Sequence, residues 1–328
     1  MSGKTAFVTG GTGFLGRHLI EKLLDQGWEV TALHRPTANT AWLEQLGVKL
    51  APGQMDDPAS LIAAMPAGLD AVFHVAGDTS FWRQNNKRQH GVNVIGTRNM
   101  LEAALVKKPR RFVHTSTIAV YGADAPKVTE DAPHQGRHSS IGYLKSKSLA
   151  EEEVKAAIAR GLDAVIVNPC NIIGPYDTHN WSRLFRMVHE GNLPGVPPGS
   201  GSFCHASDVA QAHIAAYEKG RTGENYILGG PNVSHLEVIR VASRILGRPE
   251  PKGVTPAVLL KVLGAISQWV SYLTGKEPDL TPEGATLICA HQSVASDKAS
   301  RELGYLSADL ETMIADCIDW MKTERLLT

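Results

Sequence analysis

Apolar and polar residues follow one another in the first part of the chain in a pattern that predicts alternating strands and helices. The apolar run of Ala6, Phe7 and Val8 predicts a strand, and the leucine-rich stretch that ends at Gly27 has its apolar residues at helical spacing. A second apolar run at 28–33 predicts the next strand. Because strands that alternate with helices pair in parallel beneath those helices, the pattern predicts a doubly wound α/β fold.

The same alternation continues toward the carboxyl end. Strands are predicted at 48–50, 71–76, 111–115 and 224–228, and helices at 40–46, 84–106, 142–159, 181–190, 209–217, 234–246, 296–303 and 310–321. Within the helix at 84–106, Asn93 is predicted to face the following strand. Asp208 is predicted to cap the helix at 209–217.

A glycine-rich turn joins the first strand to the first helix. Glycines suit this place because a side chain would hold the backbone away from a pyrophosphate, whose charge the free N–H groups of a helix amino end can bind. The alternative is an ordinary strand-to-helix turn. The position of the turn favours dinucleotide binding, and the predicted contacts are Gly10, Thr12, Gly13, Phe14, Leu15 and Gly16.

Two later strand ends qualify this prediction. The strand at 28–33 is followed by Arg35, where an NAD-binding protein would carry an acidic residue for the ribose hydroxyls. An arginine can pair with a 2′-phosphate, so NADP(H) is favoured over NAD(H), unless Arg35 is a solvated loop charge. The strand at 71–76 ends at Ala76, at the sheet edge where ligands bind. Phe81 and Trp82 follow, either as loop packing or as an apolar wall for a substrate.

Composition and charge narrow the kind of partner. Among 328 residues, 33 lysines and arginines balance 33 aspartates and glutamates, so no long-range field favours nucleic acid, and a small molecule is the expected partner. The four cysteines lie far apart without metal-type spacing, which predicts no structural metal. The amino terminus enters a strand without a basic and then apolar leader, so we expect a reduced, cytoplasmic protein.

The segment 254–273 is rich in apolar residues but also contains Lys261, Ser267 and Gln268. A membrane-spanning helix needs about 20 mostly apolar residues with few charges. We therefore expect no transmembrane span but a buried or substrate-covering helix. A membrane-surface helix or a partner-binding helix is the alternative.

A tyrosine and a lysine are spaced like a reaction centre. Tyr143 and Lys147 are four residues apart, so they share one face of the helix at 142–159. The pair alone is common. In this chain the strand at 111–115 ends in Ser116 and Thr117, which precede the Tyr-Lys pair, and the glycine turn lies closer still to the amino terminus. This context favours a reaction centre.

These motifs together resemble the extended short-chain dehydrogenase/reductase family. The resemblance covers most of the chain and includes 93–97, 115–122, 168–175 and 203–210 besides the glycine turn and the Tyr-Lys pair. It implies a Rossmann fold with a smaller carboxyl-terminal substrate lobe, so that 1–168 would form the dinucleotide-binding domain, with later segments returning to it, and 169–328 would form mainly the substrate lobe.

The resemblance also implies roles for individual residues. Tyr143 would exchange the proton, and Lys147 would bind the nicotinamide ribose and lower the pKa of the tyrosine, which agrees with the effect of a neighbouring ammonium on a phenol. Thr117 would hold the substrate oxygen, with Ser116 as the less favoured candidate. Ala76 and Pro169 would contact the cofactor and Asn171 the substrate.

Three departures from the family help to choose the reaction. Dehydratases of the family carry an Asp-Glu pair where this chain has Ile118 and Ala119, so dehydration is not expected. Nucleotide-sugar epimerases tend to carry arginines where this chain has Asn168 and Gly201, although Arg183 or Arg186 could substitute. Gln54 replaces an aspartate that many relatives place toward the adenine.

What remains resembles the branch with dihydroflavonol-reductase-like and 3β-hydroxysteroid-dehydrogenase-like enzymes. The sequence therefore predicts an NADP(H)-dependent oxidoreductase that reduces a carbonyl of a mainly apolar molecule or oxidises the matching alcohol. The alternatives are a nucleotide-sugar epimerase and a non-catalytic cofactor-binding scaffold or sensor. Relatives often form homodimers through the helices that match 84–106 and 142–159, and we expect the same here.

Overall fold

A computed structural model describes residues 3–123, 125 and 127–327. Its strands fall into one large and two small sheets. The strand bounds are β1 Thr5–Thr9, β2 Glu29–His34, β3 Lys49–Pro52, β4 Ala71–His74, β5 Arg111–Thr115, β6 Lys127–Val128, β7 Ala164–Pro169, β8 Asn171–Ile173, β9 Ser200–His205, β10 Asn225–Leu228, β11 Asn232–Ser234 and β12 Ser293–Val294.

The helices cover both faces of the large sheet, and some of them pack against the three-stranded sheet. Their bounds are α1 Phe14–Asp25, α2 Ala41–Gln45, α3 Pro58–Ala64, α4 Asn86–His90, α5 Gly96–Lys107, α6 Gly142–Ala159, α7 Trp181–Glu190, α8 Ala206–Lys219, α9 His235–Ile245, α10 Ala257–Thr274, α11 Pro282–Cys289, α12 Asp297–Leu303 and α13 Leu310–Thr323. Short 3₁₀ turns occupy Arg83–Asn85, Ile118–Tyr121 and Gly136–His138, and a π-helical turn occupies Gly91–Ile95.

The large sheet has seven parallel strands in the order β10-β7-β5-β4-β1-β2-β3. The chain winds outward from β1 in one direction through β2 and β3, and then in the other direction from β4. In such sheets ligands bind at the carboxyl ends of the strands, where the winding reverses. The predicted doubly wound fold is therefore confirmed, and the switch point lies between β1 and β4.

Alternate side chains of the central strands enter two separate cores. Ala6 and Val8 of β1 pack into one core with α1, α8 and α12. Phe7 points to the opposite face, into the core covered by α3, α5 and α6. A parallel sheet buried on both faces in this way gives rigid support to the groups at its carboxyl edge.

The later part of the chain divides between the two regions. β10 is the outermost strand of the large sheet beside β7, and α8 packs against α1. β8, β9 and β11 form a separate three-stranded sheet, whose Phe203 lies in a third core with residues of α7, α9 and α13. The proposed division at residue 168 into two domains stays a prediction.

Three predictions about local structure need correction. The segment expected as a helix at 84–106 is helical from 86 to 107, with a π-helical turn at Gly91–Ile95 instead of regular α-helix. The helix α8 begins earlier than expected, with His205 as its cap, so Asp208 lies in the first turn and instead accepts a hydrogen bond from the Ala308 N–H at 2.8 Å. The helix α10 forms, but most of its large apolar side chains are exposed, which contradicts a buried helix and leaves a substrate-covering, membrane-surface or partner-binding helix.

Candidate active site

The glycine turn brings backbone into close contact with backbone. Gly10 has φ +74°, and a Cβ there would lie 2.8 Å from the Ala76 nitrogen. A Cβ on Gly16 would lie 2.1 Å from the Gly10 oxygen. Both places therefore require glycine, and the tight turn leaves room for a ligand over the amino end of α1. Within the described residues no side chain caps that end, so its N–H groups can receive a phosphate.

A buried histidine fixes the strand ends that flank this turn. His74 Nδ1 shares a hydrogen bond with the Thr9 hydroxyl at 2.8 Å, and His74 Nε2 shares one with the Thr97 hydroxyl at 3.0 Å. The Thr9 hydroxyl also accepts from the Ala76 N–H at 3.1 Å. Burial lowers the pKa of His74 to about 3, so the imidazole is neutral at physiological pH. This network holds the ends of β1 and β4 together at the switch point.

Arg35 lies just beyond β2, the strand next to β1. Its side chain is exposed and makes no ion pair among the described residues. In a sheet of this kind the end of the second strand faces the adenosine ribose of a bound dinucleotide. The exposed guanidinium therefore lies near the strand end that would border this ribose. Gln54 is likewise exposed, just beyond β3.

Lys147 is buried on the inner face of α6. Its ammonium donates a hydrogen bond to the backbone oxygen of Thr115 at 2.7 Å, at the carboxyl end of β5. Burial lowers the pKa of Lys147 to about 8, and the charge of Glu151 partly opposes this effect. The lysine is thus held near the switch point with a pKa close to the physiological range.

Tyr143 lies one helical turn before Lys147 and shares a hydrogen bond with Thr117. Burial raises the pKa of Tyr143, and this hydrogen bond lowers it in part. Burial therefore dominates the pKa of the phenol, where the sequence led us to expect the ammonium of Lys147 to dominate. The ring of Phe81 meets the ring of Tyr143 edge to face, with 5.3 Å between centroids. An apolar side chain thus lies directly beside the candidate proton donor.

The two candidate hydroxyl groups differ in their surroundings. Thr117 is partly exposed, and its hydroxyl also accepts a hydrogen bond from the Ala119 N–H at 3.3 Å. The Ser116 hydroxyl is buried and has no hydrogen-bond partner among the described residues. The structure therefore brings Thr117, and not Ser116, to the phenol of Tyr143.

Sequence reasoning missed Glu151, which lies on α6 one turn beyond Lys147. Its carboxylate is fully buried and accepts hydrogen bonds from Asn168 Nδ2 at 2.7 Å and from Asn225 Nδ2 at 3.1 Å. His134 Nδ1 lies 3.3 Å from the same carboxylate. The spacing of four from Lys147 was the available signal, because it repeats the spacing of Tyr143 and Lys147.

A cavity of about 380 Å³ opens behind Glu151, away from the glycine turn. Glu130, His134, Arg137 and Lys155 are among its lining residues. The later turns of α6 therefore line this cavity, through Ser148, Glu151, Glu152 and Lys155, whereas Tyr143 and Lys147 lie on the earlier turns, toward the switch point.

The π-helical turn places Asn93 where it supports the loop after β4. Asn93 Oδ1 accepts from the Asp78 N–H at 2.7 Å, and Asn93 Nδ2 donates to the Asp78 oxygen at 2.9 Å and to the Ser146 hydroxyl at 3.0 Å. This loop carries Phe81. Asn93 is buried, but its hydrogen bonds join this loop to α6 and do not reach β5, the following strand that it was predicted to face. A π-helical turn commonly marks such a functional position.

The remaining predicted substrate contacts lie apart from this centre. Trp82 is buried, and its indole N–H donates to the Ser271 hydroxyl of α10 at 3.1 Å. Asn171 donates to the Ser202 oxygen at 2.9 Å. Pro169, which was predicted to contact the cofactor and not the substrate, is buried at the end of β7. Trp82 therefore holds the loop against α10, whereas the neighbouring Phe81 contacts Tyr143.

The arginines that could grip a nucleotide diphosphate are differently engaged. Arg183 pairs with the Asp279 carboxylate at 2.7 Å. The Arg186 Nε is buried and has no hydrogen-bond partner among the described residues. Of the two arginines that could replace the diphosphate-binding arginines of the epimerases, Arg183 is thus held in an ion pair, and only Arg186 has an Nε without a partner in the described part of the chain. The described residues also contain no group of His, Cys, Asp and Glu side chains that could hold a metal ion.

Comparison with protein families agrees with this geometry. The model of the NAD-dependent epimerase/dehydratase family matches residues 6–229. A Synechocystis protein named "Putative dihydroflavonol 4-reductase" is 31% identical over 325 residues, which cover 96% of this chain and 94% of that protein. Sterol demethylase protein B of Methylococcus capsulatus is 27% identical to this chain, and the match covers 98% of this chain and 100% of that protein. A Stigmatella aurantiaca ketoreductase that acts on a farnesyl dihydroquinoline oxide is 30% identical, covering 91% of each.

Solved structures show the same fold. The crystal structure of gox2253 superposes with a TM-score of 0.84 at 30% identity and covers 99% of this chain and 100% of that one. UDP-glucose 4-epimerase from Bifidobacterium longum, solved with NAD⁺ and UDP, gives a TM-score of 0.77 at 22% identity, with coverage of 98% and 99%.

Proposed function

This chain belongs to the NAD-dependent epimerase/dehydratase family of extended short-chain dehydrogenases/reductases, and on that premise we propose that it reduces carbonyl groups of mainly apolar small molecules with NADP(H). The enzyme class, an NAD(P)-dependent oxidoreductase, follows from the family and from relatives named as reductases. The observation that carries the proposal is the contact of Tyr143 with Thr117 and Phe81 beside the buried Lys147.

The residues at the switch point fit a bound dinucleotide. The amino end of α1 and the turn from Gly10 to Gly16 would take the pyrophosphate, with Thr12, Phe14 and Leu15 around it. Ala76 and Pro169 would border the nicotinamide, and Lys147 would bind its ribose. A bound nicotinamide supplies or accepts hydride, which no side chain of the protein can do.

The chain's own part of the reaction is to hold one oxygen atom and move one proton. Thr117 would donate a hydrogen bond to the substrate carbonyl oxygen, and Tyr143 would give this oxygen its proton as the alcohol forms. The cation of Lys147 favours the phenolate that remains on Tyr143. Glu151 keeps that cation protonated by raising its pKa against the effect of burial.

The surroundings of Tyr143 favour an apolar substrate. Phe81 lies against the phenol, and the positions where epimerases tend to carry diphosphate-binding arginines hold Asn168 and Gly201. Asn168 donates a hydrogen bond to Glu151, and Arg183 forms an ion pair with Asp279. The relatives named for a sterol and for a farnesylated quinoline point to the same substrate class.

The preference for NADP(H) over NAD(H) rests on Arg35. An exposed guanidinium without an ion pair in the described part of the chain can form charge-assisted hydrogen bonds with a 2′-phosphate. A carboxylate, which would repel that phosphate, does not stand beside it: the neighbours are His34 and Pro36.

The test is incubation of the purified protein with NADPH or NADH and a panel of aldehydes, ketones and nucleotide sugars. The nicotinamide absorbance should fall with apolar carbonyls, and faster with NADPH. A nucleotide-sugar epimerase is the second candidate, and the free Nε of Arg186 is the observation in its favour. Turnover of a nucleotide sugar without net change in absorbance would establish it. Cofactor binding without any turnover would indicate the non-catalytic scaffold.

Two further expectations remain proposals. The helices that match 84–106 and 142–159 would form a homodimer interface. Within one chain they are joined by the ion pairs Arg98–Glu153 and Glu102–Arg160. Light scattering should then give twice the mass of the chain. Cell fractionation tests the expected cytoplasmic location.

A further inference from the structure

The helix α10 exposes most of its large apolar side chains. Its buried residues are Leu260, Gly264, Gln268 and Ser271, of which only Leu260 is a large apolar residue. The exposed residues include Val258, Leu259, Val262, Ile266, Trp269 and Leu273. Trp269 is 74% exposed and Leu273 is 84% exposed. A helix on the surface of a protein in water normally shows the reverse arrangement, so this face is suited to an apolar medium.

The exposed apolar residues form one continuous stripe. At 100° per residue they fall within an arc of about 160°, along a helix of 18 residues that is about 27 Å long. Among the described residues, α10 is also the one helix with the length and composition to cross a bilayer. Its inner side is nevertheless bound to the protein, because Ser271 accepts from Trp82 and Gly264 packs on the Thr281 backbone. The helix is therefore built to lie on a surface rather than to span one.

The net charge around the stripe is positive. Lys252, Lys261 and Lys276 are exposed and have no ion pair within the part of the chain that the structure describes. Of the neighbouring acids, Glu283 pairs with Arg83 and Asp279 with Arg183, whereas Glu277 accepts from the neutral groups of Ser80 and Asn85 and keeps its charge. The three lysines therefore leave a net positive charge beside the stripe. Free cations beside an apolar stripe complement a membrane with anionic lipids.

The aromatic residues of the stripe suit a lipid surface. Trp269 and Tyr272 add side chains with an apolar ring and a polar atom, which favour the boundary between lipid and water.

We propose that α10 docks the protein on an anionic lipid surface and that apolar substrates reach the active site from that surface. The second part rests on the proposed function. The path is short, because Trp82 lies under α10 and the adjacent Phe81 contacts Tyr143. The loop that carries both residues thus connects the lipid-facing helix to the candidate proton donor.

Sedimentation of the full chain with vesicles tests the docking without any turnover. The protein should pellet with vesicles that mix phosphatidylcholine and phosphatidylglycerol in equal amounts, and much less with phosphatidylcholine alone. The double substitution Trp269→Ser and Leu273→Ser should weaken binding at least about tenfold, because each residue loses apolar contact with lipid. Lys261→Glu should weaken it about fivefold on the anionic vesicles only.

Leu306→Ser is the matched control, since Leu306 is 80% exposed but lies outside α10. This variant should bind like the wild type, and all variants should keep the wild-type thermal transition. Equal pelleting of the wild type and the double variant, or no pelleting at low salt, would overturn the proposal. A double variant that loses a dimer in light scattering but binds vesicles normally would instead identify a second copy as the partner.

The substrate route is tested separately. With a water-soluble ketone the Trp269→Ser, Leu273→Ser variant should turn over like the wild type. With a membrane-dissolved ketone it should be slower by the same factor as its loss of binding. Equal rates on both substrates would contradict the route but leave the reductase activity intact, whereas no turnover by either protein would count against the proposed function alone.

Discussion

Substitution of Lys147 by methionine should make the protein without cofactor more stable at neutral pH while it abolishes activity. The ammonium is buried on α6, with one hydrogen bond to the Thr115 oxygen. Burial lowers its pKa from 10.5 to about 8, which means that the folded protein holds the charged form less well than the unfolded chain does. Methionine has a similar length and no charge, so it removes this unfavourable burial.

The magnitude follows from the change in pKa. A tenfold change in proton affinity corresponds to about 1.4 kcal/mol, so the charged lysine destabilises the folded state by about 3 kcal/mol below pH 8. Between pH 8 and pH 10.5 the folded protein binds fewer protons than the unfolded chain, and the stability of the wild type rises with pH. Loss of the bond to Thr115 makes the variant less stable by about 1 kcal/mol at every pH.

The assay is urea unfolding of both proteins, without cofactor, from pH 7 to pH 10. The variant should exceed the wild type by about 2 kcal/mol at pH 7, and the difference should shrink by about 2 to 3 kcal/mol by pH 10. Other titrating groups contribute to both proteins and cancel in the difference. A difference that does not change with pH would show that Lys147 is not held at a lowered pKa, and the reasoning about its burial would be wrong.

Three other substitutions test the roles assigned to single residues. Glu151→Gln removes the charge that raises the pKa of Lys147, so the alkaline limb of kcat/KM, expected near pH 8 in the wild type, should move to lower pH; an unchanged limb would exclude this role. Arg35→Asp should reduce the ratio of kcat/KM for NADPH to that for NADH at least about tenfold, and an unaltered ratio would remove the arginine from cofactor recognition. Thr117→Ala should lower kcat/KM about a hundredfold, whereas Ser116→Ala should have little effect; the opposite order would exchange their roles.

The features that the sequence predicts well are local. The glycine turn needs only the spacing of Gly10, Gly13 and Gly16 between a strand and a helix. The helices at 142–159 and 181–190 match α6 and α7 at both ends, because apolar periodicity and flanking glycines define them. The parallel sheet follows from the order of such units.

The features that the sequence did not reveal depend on distant partners. The π-helical turn is fixed by the bonds of Asn93 to Asp78 and to Ser146, which come from other elements. Glu151 becomes part of the site through Asn168 and Asn225, which the chain brings back on β7 and β10. Helical spacing alone cannot show which contacts such residues make.

The helix α10 shows the same limit for burial. Its apolar content predicted a buried helix, but the neighbours that arrive from the loop at Trp82 and from Thr281 pack on its polar and small residues. Which face of a helix is covered depends on the complete fold. Asp208 is similar, because the cap of α8 was decided by the path of β9 through His205.

The most direct test of the account is a single turnover of Tyr143→Phe beside the wild type. Each protein, saturated with NADPH, is mixed rapidly with an apolar ketone, and the absorbance of the reduced nicotinamide is followed. The wild type should consume NADPH, and the variant should do so roughly a thousandfold more slowly with unchanged affinity for NADPH. Equal rates in the two proteins would show that the phenol beside Thr117 and Lys147 does not supply the proton.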